Sequence, residues 1–124
     1  MKLLIAVLLV AGYSAEWMRS HPSATSIHIQ AQGYLARIIP GVHRRLEVRI
    51  EPQSAMIRPD VIAEATVEGE VCILHFTPNS LVWHRDMAVA HEAVHCALDY
   101  DFLRGMGGEA DEARAERMGE ELNR

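Results

Sequence analysis

The residues with the clearest chemical potential form the segment His91-Glu92-Ala93-Val94-His95. On a helix, side chains four residues apart stack on one face a turn apart. The imidazoles of His91 and His95 can therefore close on one cation while Glu92 flanks it. Imidazole nitrogen suits zinc, and a catalytic zinc keeps three protein ligands so that its fourth position stays open to water. Bound zinc lowers the pKa of that water towards about 7, and a neighbouring carboxylate can take its proton as the oxygen attacks a carbonyl carbon. Glu92 is placed for that role.

Five residues are a short pattern, so the context has to supply a third ligand. Glu112, Ala115, Glu116 and Gly119 fall at i, i+3, i+4 and i+7, one face of a helix with two carboxylates among small residues. Ala115 and Gly119 allow close approach to a neighbouring helix. Glu112 would then reach the metal, with Glu109 as a substitute, and Glu116 would accept a hydrogen bond from the outward nitrogen of a ligand histidine. The site expected is one Zn2+ per chain on His91, His95 and Glu112.

The elements that must carry these residues can be read from periodicity. Ile27, Ala31, Tyr34, Leu35 and Ile38 recur at helical spacing between Ser23 or Thr25 as N-cap and Pro40-Gly41 as stop, predicting a helix over 26–39. Leu46, Val48 and Ile50 alternate with charged residues, which marks a half-buried strand ended by Pro52. After a loop containing Pro59, Ala63 to Val67 alternates again, and Glu68-Gly69-Glu70 turns the chain into the apolar run Val71 to Phe76, a hairpin. Thr77-Pro78-Asn79-Ser80 introduces a helix reaching Asp99 or Tyr100. A glycine-rich loop over 101–108 leads to a last helix over 109–122. The expected fold is α+β: an N-terminal helix, a small, mainly antiparallel three-stranded sheet, an active-site helix and a C-terminal ligand helix.

HEAVH followed by Glu112-Ala113-Arg114-Ala115-Glu116 resembles the gluzincin metallopeptidases, whose pattern is HExxH plus a glutamate on a following helix. The second motif is similar to the ExxAD of the HtpX and CAAX-prenyl-protease group and the ExxAN of the ImmA/IrrE group, with Glu116 in the last position. The likeness covers roughly 71–119. A small zincin-like "minigluzincin" is the nearer image, because the multi-span helices of the HtpX group have no counterpart here. The resemblance implies that His91, His95 and Glu112 are ligands, that Glu92 is the base, and that peptide bonds are hydrolysed. It also implies an edge strand before the active-site helix, along which a peptide could add as a further strand; Val71 to Phe76 is the expected one. Tyr100, His75 and His84 are candidates for stabilising the tetrahedral oxyanion. A catalytically inactive module that binds metal and peptide through the same cleft is the competing expectation.

Composition bounds the rest. A chain of 124 residues, 49% hydrophobic and 23% charged, suits one soluble domain, taken as 16–124. A net charge of −5, with no basic cluster larger than Arg44-Arg45, gives no footprint for nucleic acid. Residues 1–15 pair Lys2 with an uncharged run ending in Gly12, Ser14 and Ala15, as a secretory signal peptide or uncleaved anchor would. The protein is therefore expected to be exported, a cytoplasmic protein with a buried first element being the alternative, and membrane contact is expected only through an uncleaved leader. Cys72 and Cys96 would form one disulfide in an oxidising compartment, or stand as two small buried hydrophobes.

Overall fold

The computed structural model describes residues 23–57 and 61–124, so the leader and the loop around Pro59 lie outside the described residues. Helix α1 spans Ala24–Ile38 and is capped by Ser23, whose hydroxyl accepts from the amide of Ser26. Strand β1 (Arg45–Ile50) follows. A single 3-10 turn at Gln53–Ala55 then leads to β2 (Ala63–Glu68) and β3 (Val71–Phe76). Gly69 supplies the positive φ, 62°, that the tight β2–β3 turn requires. Helix α2 (Pro78–Leu98) starts with Thr77 capping the amide of Ser80 and Pro78 in the first turn. Asp99 ends it, a one-turn helix α3 (Tyr100–Leu103) follows, and α4 (Glu112–Leu122) closes the chain.

The fold is α+β, but its sheet is mixed where a mainly antiparallel one was expected. The strand order is β1-β3-β2, with β1 parallel to β3 and β2 antiparallel to it. This overturns the expectation that Val71 to Phe76 is an edge. β3 is the central strand, buried from Cys72 to Phe76, and β2 carries the edge on the site's side. A nearly continuous apolar run belongs at the centre of a sheet, where both neighbours are strands and both faces are covered.

One sheet face sends Cys72, Leu74 and Phe76 into the core against Ile27, Ala31 and Tyr34 of α1 and Leu81, Val89, Ala90 and Ala93 of α2. The other face is tied to the stretch after β1: His75 hydrogen bonds Glu51, and the carboxylate of Glu64 accepts from the amide of Ile57 at 2.6 Å. Cys72 and Cys96, with Cα atoms 6.1 Å apart, are paired and fasten β3 to α2 one residue beyond His95. Among the described residues no helix is long and apolar enough to cross a membrane.

Candidate metal centre

Helix α2 presents His91 and His95 on one face because they are one turn apart, and α4 brings Glu112 to meet them. The close approach depends on small residues. Ala115 and Gly119 are buried against α2, and a Cβ added at Gly119 would stand 3.5 Å from the backbone nitrogen of His91. α4 begins at Glu112, three residues later than expected, because the Asp111 side chain caps the amide of Arg114 at 2.9 Å. Glu109 is thereby left exposed in the preceding loop and takes no part in the cluster.

His91 Nε2 lies 2.9 Å from Glu112 Oε2, His95 Nε2 lies 3.2 Å from the same oxygen, and the two imidazole nitrogens are 3.2 Å apart. Donors sharing a tetrahedral ion at roughly 2.0–2.1 Å stand about 3.3 Å apart, so this triangle is close to the one an ion would impose. The protonation pattern points the same way. His95 Nδ1 donates to Asp99 Oδ2 at 2.8 Å, so in the neutral ring Nε2 is a bare lone pair facing a carboxylate oxygen. The His95 lone pair and the Glu112 carboxylate are two acceptors turned toward one another, and either a proton on His91 Nε2 or a metal ion between the three groups satisfies them. His91, His95 and Glu112 form a group that could hold a metal ion.

The titrations follow from this crowding. Burial alone would lower the pKa of His95, but its hydrogen bond to Asp99 and the carboxylates of Glu92 and Glu112 outweigh burial and raise it. For Glu112 burial pushes upward, and the hydrogen bond from His91 together with the charge of His95 leaves the net shift downward.

The outer nitrogen of His95 is held by Asp99 and not by Glu116. The Asp99 side chain is 4% exposed, and its second oxygen accepts from Arg114 Nη2 of α4 at 2.7 Å. The sequence reading missed both Asp99 and Arg114, although Asp99 sits at the same four-residue spacing from His95 that joins the two histidines. Glu92 is buried and lines both halves of a cleft that runs between β2 and the cluster. One half, of about 540 Å³, is walled by Ile62, Ala63, His84, Met87 and Glu116. The other, of about 410 Å³, is walled by Ile57, Thr66, Phe102 and Leu103, and Glu112 borders both.

Of the three oxyanion candidates, only His84 lies on the cleft, at a kink in α2 where its φ of −138° and ψ of 29° interrupt the helix. The hydroxyl of Tyr100 donates to the Glu70 carbonyl at 2.9 Å, and its ring lies beneath the Arg44 guanidinium. His75 faces the far side of the sheet, between Glu51 and the Thr66 hydroxyl.

Compared with known proteins, the chain matches no protein-family model, no curated protein and no solved structure.

Proposed function

We propose that the chain is a zinc metallopeptidase of gluzincin type, with His91, His95 and Glu112 as ligands and Glu92 as general base. The observation that carries this is the convergence of two imidazole nitrogens and a carboxylate oxygen beside a buried glutamate, on a cleft bordered by an edge strand. A purely structural zinc site would more often use four protein ligands and would have no use for Glu92.

Zinc bound there would polarise a peptide carbonyl and bring the pKa of a water towards about 7. Glu92, buried beside the cluster, would serve as the base that accepts a proton from an attacking water and returns it to the leaving amine. Asp99 keeps the His95 ring in the tautomer whose Nε2 faces the cluster. His84 is the side chain on the cleft that can face the developing oxyanion. The outer edge of β2, which pairs with no other strand among the described residues, offers backbone groups to an extended peptide, in place of the β3 edge expected from sequence. The Cys72–Cys96 pair supports export, since disulfides persist in oxidising compartments.

The purified protein is expected to carry one zinc per chain by elemental analysis, lost in His95→Ala. Glu92→Gln is expected to keep the zinc and lose peptide hydrolysis. A wild-type protein that folds without taking up zinc would overturn the proposal, and unchanged turnover in Glu92→Gln would remove Glu92 from the mechanism.

A further inference from the structure

The half of the cleft beside His84 contains a charge that metal binding and catalysis leave unused. Glu116 lines it one turn beyond Glu112, is exposed, and forms no ion pair among the described residues. Among the described residues no Lys or Arg borders this half, whose other walls include Ile62, Ala63, Met87 and Ala88. A divalent ion at the cluster would be offset by Glu112 and Glu92, leaving Glu116 as one uncompensated negative charge. The opposite half differs. Ile57, Phe102 and Leu103 line it, and its additional carboxylate, Glu64, is buried and engaged by the Ile57 amide.

A trough with apolar walls and one carboxylate outside the metal cluster suits a side chain with an aliphatic stem and a cationic tip. Resting on the peptidase function proposed above, we infer that the substrate class is polypeptide with a lysine or arginine close to the scissile bond, its cation seated against Glu116. Glu116 is then a specificity-determining residue and not a support for the metal ligands.

The test is cleavage of a mixed peptide library by the zinc-loaded full chain, with cut sites read by mass spectrometry. Wild type is expected to enrich Lys and Arg about fivefold at one position flanking the cut, a size typical of a partly exposed ion pair. In Glu116→Gln that enrichment should fall below about twofold. In Glu116→Lys the same position should turn to Asp and Glu, a reversal that mere loss of packing would not produce. Cleavage by wild type without basic enrichment, or enrichment that survives Glu116→Lys, overturns this inference alone. No cleavage of any peptide by zinc-loaded wild type overturns the peptidase function, and the inference with it.

Discussion

Asp99 shows how much one buried carboxylate can govern. It fixes the His95 tautomer through one oxygen and binds Arg114 of α4 through the second. Partners of this kind affect metal affinity by about 10–100-fold, so Asp99→Ala should weaken zinc binding by that order in a chelator competition, and Asp99→Asn, which can still accept from Nδ1, by less. Proton competition gives a second expectation. His95 binds metal only when neutral, and its raised pKa means that acid displaces the ion starting at a higher pH than an ordinary imidazole would allow. In the stripped protein the signs differ for the two groups. The stability due to protonated His95 is complete below its ordinary value of 6.5 and is lost as pH rises through the raised one. That due to ionised Glu112 is complete above 4.5 and is lost as pH falls through the lowered one. Melting curves of chelator-treated protein should therefore place the wild-type advantage over a His95→Gln, Glu112→Gln double variant mainly between those two values. At this scale the sequence was legible where helix geometry alone fixes the outcome, as for His91 and His95 one turn apart, while the arrival of Glu112 depends on how a second helix packs. Glu116 was misread because sharing a face with Glu112 does not decide which side chain reaches an imidazole.

Among elements, the contact between α2 and α4 decides whether a three-ligand cluster exists. A methyl group at Gly119 would meet its neighbours at ordinary contact distances, 3.5–3.8 Å, whereas a longer side chain would have to push the helices apart. Gly119→Ala is expected to keep full zinc content. Gly119→Leu should lose about 1–3 kcal/mol of stability and at least tenfold in zinc affinity, seen by denaturant titration and by chelator competition. The helices and strands themselves were readable, since Ile27 to Ile38 and Leu46 to Ile50 show unmistakable periods. Strand order was not. Alternation reports which face of a strand is buried and is silent on which neighbour it has, so the insertion of β3 between β1 and β2 and the parallel β1–β3 ladder had no local signature. The late start of α4 did have one, in the capping side chain of Asp111.

For the whole molecule, the Cys72–Cys96 link spans 24 residues and joins the central strand to α2. Closing a loop of that length stabilises a fold by about 3.5 kcal/mol in the chain-entropy account, so replacing both cysteines by alanine should lower the melting temperature by at least about 10 °C in a calorimetric scan. The core next to it is dense, with Cys72, Ile73, Leu74, Phe76, Val89 and Val94 fully buried, and it holds the wall bearing His91 and His95. The bordering edge of β2 imposes another kind of selection. Six residues of strand extend about 20 Å, and a partner can pair along them only if its own backbone amides and carbonyls are unclaimed. A folded domain has already used those groups internally, so it would present nothing for the edge to pair with. A peptidase built on this edge would respond first to whether its target has lost its structure, and only then to the target's side chains.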